Sequence, residues 1–515
     1  MRKLFNKRPC IPMAAVLVAA AIAGCKPEEF KQNYNPLIDD PQTETPSQTE
    51  TPSQADMDEL YRPQVHFTPS KNWMNDPNGM VFCDGVYHLF FQYNPQGNSW
   101  GNMSWGHATS PDMIHWTEQP VALTRDDLGA IFSGSCVIDK DNTAGFGAGA
   151  MVALYTSAGD DGKQQQSIAY STDGGKNFTR FAGNPVIKND DDNLRDPKVF
   201  WHQESGKWIM SLAKGWKKGI EFYGSPDLKT WNHLSTFVTP LSGRPDLQWE
   251  CPDLVQMDYK GGKKWVLIVS VNPGGPILGS GTLYFPGEFD GTHFTADERE
   301  YPLWLDYGMD NYAGVTWSNT GNRLVMLGWM NNWSYAGDVP CNPWRSAMTL
   351  PRELKLVEYD GKPLLAATVV KEIEGIAKEW KDAGSGWDAF AAYQLRLTVG
   401  MDQNTTITLS NEQDEKLVVE VYGASRLVAV KRNANTGNVK FNGTFSVPSI
   451  QGPVSTDGDK VTLDLFVDQS SVELFTQEGT LSVTNLVFPS SIYNRLQVSG
   501  AQTEARVREL SRIWK

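Results

Sequence analysis

Beyond about residue 60, the apolar residues of this chain fall in short runs separated by polar turns. Val86-Tyr87-His88-Leu89-Phe90-Phe91, Lys207-Trp208-Ile209-Met210-Ser211-Leu212 and Lys264-Trp265-Val266-Leu267-Ile268-Val269 are rich in aromatic and β-branched residues. Runs this short, bounded by turn residues, predict strands rather than helices. A turn pattern recurs between them. Ser110-Pro111-Asp112-Met113-Ile114-His115-Trp116, Ser171-Thr172-Asp173-Gly174-Gly175-Lys176-Asn177-Phe178 and Ser225-Pro226-Asp227-Leu228-Lys229-Thr230-Trp231 each place an Asp two residues after a Ser and an aromatic six or seven after it. The copies lie 61 and 54 residues apart, and a looser one follows at Phe289-Asp290-Gly291-Thr292-His293-Phe294. Short strands repeating at this interval predict a β-propeller, one blade of four strands per repeat. The stretch from Tyr61 to Leu350 holds about five such blades.

From about Pro351 the aromatic turn disappears. Strict alternation replaces it, as in Thr405-Thr406-Ile407-Thr408-Leu409, Lys416-Leu417-Val418-Val419-Glu420-Val421-Tyr422 and Val461-Thr462-Leu463-Asp464-Leu465-Phe466-Val467. One face buried and one solvated is the signature of an antiparallel sandwich. Only Val369 to Asp382 has a helical pattern. The expected fold is therefore all-β: a five-bladed β-propeller over residues 61–355, followed by a C-terminal antiparallel β-sandwich over 365–515. The 18 Trp, 17 Tyr and 22 Phe, with 46 Gly and 30 Pro among 515 residues, agree with many strands joined by turns.

The amino terminus follows other rules. Arg2, Lys3, Lys7 and Arg8 precede an apolar stretch from Ile11 to Ile22, too short for a membrane span and suited to a secretory signal. Ala21-Ile22-Ala23-Gly24-Cys25 resembles a bacterial lipobox, which implies a signal peptide over 1–24 and lipidation of Cys25; a plain cleaved signal is the alternative. Residues 25–60 are polar and contain TETPSQ twice in tandem, a composition that cannot bury enough to fold and reads as a disordered tether. The expectation is an exported lipoprotein of a bacterial outer membrane, on the cell surface given Lys26-Pro27-Glu28-Glu29-Phe30. It would touch the membrane only through its lipid anchor.

A formal charge of −14, with no basic run in the mature part, argues against nucleic acid as a partner. After the leader, Cys83, Cys136, Cys251 and Cys341 are scattered, and the 7 His include no metal-ligand spacing, so neither a metal nor a cofactor is expected.

Three acids share a local design. Asp76 lies in Asn75-Asp76-Pro77-Asn78-Gly79, Asp196 in Arg195-Asp196-Pro197-Lys198, and Glu250 in Trp249-Glu250-Cys251-Pro252-Asp253. Each is followed closely by proline, which restricts the backbone before it. Singly, each could be a turn residue. Their separations of 120 and 54 residues, near two blades and one, place them at equivalent points of different blades. Acids gathered on one axis should raise the pKa of at least one of them, as glycosidic bond cleavage requires.

Those residues, with FFQYNP at 90–95, FSGS at 132–135, WECPDL at 249–254, DNYAG at 310–314, GWMNNW at 328–333 and Leu465 to Phe475, resemble glycoside hydrolase family 32 in order along the chain. That family contains invertases, inulinases and levanases. The resemblance implies a retaining hydrolase of β-fructofuranosidic bonds, acting on fructan polysaccharide or sucrose, with Asp76 as nucleophile, Glu250 as general acid/base and Asp196 as transition-state stabiliser. It implies a fructosyl subsite lined by Asn75, Gln92, Trp100, Phe132, Ser133, Arg195, Tyr312 and Trp329. Trp73, Trp105 and Trp333 are expected in the core, and Cys251, with nothing basic beside it, is given no nucleophilic role. Sucrose hydrolysis, fructosyl transfer and non-catalytic fructan binding remain alternatives, as do endo or exo attack and β2,1 or β2,6 linkage.

Overall fold

The computed structural model of the chain describes residues 57–514, apart from 190–192, 218, 240, 242–246, 278, 457 and 502. The expected leader, Cys25 and most of the tether lie outside the described residues. Residues 57–60, read as the end of the tether, are instead part of the folded unit. Met57 is buried, and Glu59 clasps the Arg62 guanidinium at 2.6 and 2.8 Å. Arg62 is fully buried over the Trp344 ring, so it needs a carboxylate there.

Among the described residues five mainly antiparallel propeller sheets follow one another along the chain, the first also pairing in parallel with Trp344–Arg345. Their innermost strands are Asn72–Cys83, Ala130–Asp139, Arg195–His202, Trp249–Tyr259 and Tyr312–Thr316, each in contact with the next around a ring. Between the fifth and the first the ring closes through Ser318, whose N–H donates to Met80 O at 2.9 Å and whose carbonyl accepts from Phe82 N at 3.0 Å. The recurring Ser-x-Asp motif makes the turn between third and fourth strands: Asp112 accepts from the N–H groups of Ile114 and His115, and Asp227 from those of Lys229 and Thr230.

The fifth blade corrects the expected boundary. Its outer hairpin, Arg352–Tyr359 and Lys362–Val369, carries the propeller past residue 355. Asp360 and Gly361, with φ of +50° and +72°, make a two-residue turn in place of the aromatic motif, which is why the repeat vanishes before the propeller ends. The helix expected over Val369 to Asp382 is a single 3-10 turn at Lys371–Gly375, because Ile373 and Ile376 are the apolar anchors a short connection needs.

The sandwich pairs a sheet ordered Lys381–Asp382, Thr503–Leu510, Ala392–Gly400, Lys460–Asp468, Ser471–Thr476, Ser482–Leu486 with one ordered Val447–Pro453, Leu427–Arg432, Lys416–Tyr422, Thr405–Ser410, Arg495–Ser499. Thr405–Ser410 and Lys416–Tyr422 alternate buried and half-buried as their sequence predicts. Ser471–Thr476 is buried on both faces, because the propeller covers the outer one. Charges cross that contact. Asp468 accepts from Gln64 N, Val65 N and His66 Nδ1 at 2.7 to 2.9 Å, while His66 Nε2 meets Glu473 at 2.8 Å. Arg352 bridges Asp306 at 2.8 Å and Glu473. Asp310 of the DNYAG run is bound to Arg432 of the sandwich at 2.6 Å, so its task is to join the domains.

Candidate active site

Each innermost strand opens with a bulge. The register slips between Met74 and Pro77, Ile131 and Gly134, Arg195 and Lys198, Glu250 and Asp253, and Tyr312 and Val315. A bulge sets two residues of one strand against one of its partner and re-aims their side chains. At three of these bulges a non-glycine residue takes a left-handed backbone: Asp196 (φ +63°), Cys251 (φ +47°) and Ala313 (φ +53°). Such conformations persist where the surroundings over-determine them, which happens at functional sites.

Asp76, Ser133, Asp196, Glu250 and Tyr312, one from each blade, are thereby brought together. Asp76 is 9 % exposed; Oδ1 accepts from Asn75 Nδ2 at 3.0 Å and Oδ2 from Ser133 Oγ at 2.6 Å. Asn75 is oriented by Trp73 Nε1, which donates to its Oδ1 at 2.8 Å. Asp196 Oδ2 accepts from Cys251 N at 3.0 Å. Glu250 Oε1 receives Arg195 Nη2 at 2.8 Å, Arg195 Nε at 3.1 Å and Gln248 Nε2 at 3.1 Å, and Oε2 receives the Tyr312 hydroxyl.

The local sequence explains these positions. In Asn75-Asp76-Pro77-Asn78-Gly79, Gly79 adopts φ +52°, and a Cβ there would lie 2.7 Å from Phe90 and 2.8 Å from Trp105. Only glycine lets the strand pass that close to its neighbours. Asn78 Oδ1 accepts from Gly134 N at 3.2 Å and ties the first blade to the second beside Ser133.

Burial, opposed by Arg195 but reinforced by the charges of Glu250 and Asp76, raises the Asp196 carboxyl above its ordinary range. Burial and the same three carboxylates push the Cys251 thiol well up, so it stays protonated. Burial works against the charge on Arg195, yet Glu250 and Asp196 hold it cationic.

Two contacts differ from what adjacency in the sequence suggests. Arg195, next to Asp196 in the sequence, grips Glu250 and stands 3.9 Å from Asp196. Trp249, next to Glu250 in the sequence, is fully buried against Phe237 and Phe285 on the other face of its strand. Neighbours in a strand point opposite ways, so adjacency in sequence misleads here.

Among the other expected site residues, Gln92 is buried and donates to Ile131 O at 3.0 Å. Trp329 is fully buried, donates to Met74 O at 3.2 Å, and packs on Trp333 at 4.8 Å between ring centres. Phe132 is half-buried, 6.2 Å from Trp100, which is 40 % exposed. Trp73 and Trp105 are buried as expected, whereas Trp333 is only half-buried. Sequence reasoning missed Cys251, whose Sγ lies 3.5 Å from Asp76 Oδ2 and 3.6 Å from Asp196 Oδ2, and Gln248 beside Glu250. It also missed Asn193, which holds both Arg195 Nη1 and the N–H of exposed Trp216 at 3.2 Å. Their adjacency to the three acids was the available signal. Among the described residues no cluster of His, Cys, Asp and Glu suits a metal ion.

Comparison with known proteins agrees with the geometry. The family model for the glycosyl hydrolases family 32 N-terminal domain matches residues 66–367, and that for the family 32 C-terminal domain matches 368–514. The chain belongs to glycosyl hydrolases family 32. It is 42% identical over 503 residues to a levanase of Bacillus subtilis, covering 89% of this chain and 71% of that protein. An extracellular exo-inulinase of Aspergillus awamori is 38% identical over 524 residues, covering 89% of this chain and 96% of the relative. The crystal structure of exo-inulinase from Aspergillus awamori superposes with a TM-score of 0.82 at 36% identity, covering 89% of this chain and all of that one. A β-fructofuranosidase from Schwanniomyces occidentalis, complexed with fructosyl-erythritol, superposes at 0.80 with 30% identity, covering 90% of this chain and all of that one. Propeller and sandwich together are thus the family 32 architecture.

Proposed function

We propose that this family 32 chain is a β-fructofuranosidase that hydrolyses fructans by two displacements with net retention. The observation that carries the reading is the meeting of Asp76, Asp196 and Glu250 at one mouth of the propeller, in a chain related to a levanase and an exo-inulinase.

Asp76 is the nucleophile. Ser133 and Asn75 each hold one of its oxygens in place, which stabilises the anion and fixes its direction of attack on the anomeric carbon. As that carbon–oxygen bond forms, the bond to the leaving oxygen breaks, and the electron pair left on that oxygen takes the proton from Glu250. Water then attacks the anomeric carbon, gives its proton to Glu250, and releases Asp76 as the carboxylate. Arg195, Gln248 and Tyr312 keep the Glu250 carboxyl in one orientation through both steps. Asp196 accepts hydrogen bonds from sugar hydroxyls that strengthen as positive charge builds on the ring, and the Cys251 N–H fixes one of its oxygens. Phe132 and Trp100 offer aromatic faces to the sugar, while buried Trp329 and Gln92, also expected in the subsite, support the walls behind them.

Sucrose is the alternative substrate, since an invertase of Saccharomyces cerevisiae is 43% identical over 320 residues, 59% of each chain. Product chromatography after incubation with levan, inulin and sucrose, beside Asp76→Ala, tests the reading. Fructose or fructo-oligosaccharides from a polymer, absent with Asp76→Ala, support it, and the polymer attacked gives the linkage. Cleavage of sucrose alone moves the assignment to an invertase; transfer products in place of free fructose move it to a transferase. Binding without any product makes the chain a fructan-binding protein. We also propose lipidation at Cys25 and display at the cell surface, where an enzyme meets polymers too large to import.

A further inference from the structure

The innermost strands run from the carboxylates through the axis to the opposite end of the propeller, where the same strands line a cavity of about 630 Å³. Val137–Asp139, Val199–His202 and Asp253–Gln256, the later parts of the second, third and fourth inner strands, form its walls. Trp201 stands five residues beyond Asp196, roughly 15 Å along the strand at about 3.3 Å per residue. The cavity is therefore separate from the pocket that holds the reacting groups.

Its floor and rim have distinct chemistry. Lys198 and Asp253 form a buried pair at 3.1 Å, and Asp253 Oδ2 also accepts from Thr316 N and Oγ1, both at 2.7 Å. Asp253 Oδ1 is buried without a hydrogen-bond partner. That oxygen is sealed beneath the floor and is not presented to the cavity. The Lys198 charge is already matched by Asp253, so the floor offers no net charge to an ion. At the rim Trp201 is 38 % exposed, and its orientation is fixed twice: Nε1 donates to Gln203 Oε1 at 3.2 Å, and the ring packs edge-on against Trp208 at 5.2 Å. A rigid exposed indole beside the exposed amide side chains of Gln203 and Gln256, in a volume within the usual range of about 300–1,000 Å³ for ligand sites, matches a neutral sugar: apolar ring face on the indole, hydroxyls toward the amides.

We infer that this cavity is a second, non-catalytic site for a short stretch of fructosyl chain, holding polymer on the face opposite the reaction. The inference rests on the fructan reading. Such a site raises the local concentration of substrate without touching the chemistry, so its loss affects polymers and spares small substrates.

Equilibrium dialysis of a labelled fructo-oligosaccharide against the Glu250→Gln chain counts the sites. Two molecules bound per chain, falling to one with Glu250→Gln/Trp201→Ala, is the expected result. Gln256→Trp, which fills the mouth from an exposed position and removes no packing, should act as Trp201→Ala does. In the active enzyme either change should raise KM on polymer several-fold and leave kcat/KM on a fructosyl trisaccharide unchanged. One molecule per chain, insensitive to Trp201→Ala and Gln256→Trp, overturns the second site while leaving the fructan reading intact. No hydrolysis of any fructan by the unaltered chain overturns that reading, and the second site with it.

Discussion

His66 should give the enzyme a stability that fades in alkali, in a way its replacement removes. The imidazole is fully buried between Asp468 at 2.7 Å and Glu473 at 2.8 Å, and it joins the segment entering the propeller to the sandwich. Burial alone would lower its pKa. The hydrogen bonds and charges of the two carboxylates overcome burial and raise it from 6.5 to about 9. A raised folded-state pKa means that the protonated form stabilises the fold fully below about pH 6.5, and that this contribution is lost as pH climbs through about 9. At about 1.4 kcal/mol per pKa unit the difference amounts to about 3 kcal/mol. In His66→Gln the two acids face a neutral amide, so the loss at pH 6 should match the cost of removing one partner from a buried ion pair, about 3–5 kcal/mol. Urea denaturation of both chains at pH 6, 7, 8 and 9.5, followed by tryptophan fluorescence, measures the difference. Other titrating groups are common to the two chains and cancel. The gap should be widest at pH 6 and narrow by about 3 kcal/mol at pH 9.5. A gap that stays constant with pH would refute the claim that His66 is charged in its carboxylate pair.

Other predictions concern the site and its support. Glu250→Gln should lower kcat by about 10²–10⁴ with the urea midpoint unchanged, because it removes the proton donor and keeps its shape; activity within a few-fold of the unaltered enzyme would exclude Glu250 as the acid/base. Since burial and its neighbours raise the Asp196 carboxyl and Arg195 opposes that rise, the acid limb of kcat/KM should lie above the ordinary carboxylate range and move to still higher pH in Arg195→Gln. A limb near pH 4 in both chains would contradict this. Gly79→Ala forces a side chain into φ +52° and against Phe90 and Trp105, and should cost about 1–3 kcal/mol in urea denaturation and misplace Asp76. Cys25→Ala should abolish incorporation of labelled palmitate in a bacterial host and release the protein from the membrane fraction.

Much of this protein was legible in one dimension, since the features concerned depend on neighbours in the chain. The Ser-x-Asp-aromatic turn is a local hydrogen-bond pattern, so its three copies and the looser one at Asp290 marked four blades. Period-2 alternation requires only one wet face, so Thr405–Ser410 and Lys416–Tyr422 declared themselves sandwich strands. The three acids were visible because the first, third and fourth blades begin with the same bulged, proline-flanked turn.

What the tertiary structure decided is where side chains point and what lies opposite them. Strand alternation sends Trp249 into the blade core and Glu250 into the pocket, and left-handed bulges turn Asp196 and Cys251 toward each other, neither of which spacing reveals. Arg195 directly precedes Asp196 in the sequence but binds Glu250, because the guanidinium reaches across to the next blade. The fifth blade ran past its expected end because a hairpin can close with Asp360-Gly361 as readily as with an aromatic turn. The His66–Asp468–Glu473 cluster joins residues about 400 positions apart, and only packing one domain on the other makes charges of those residues necessary partners.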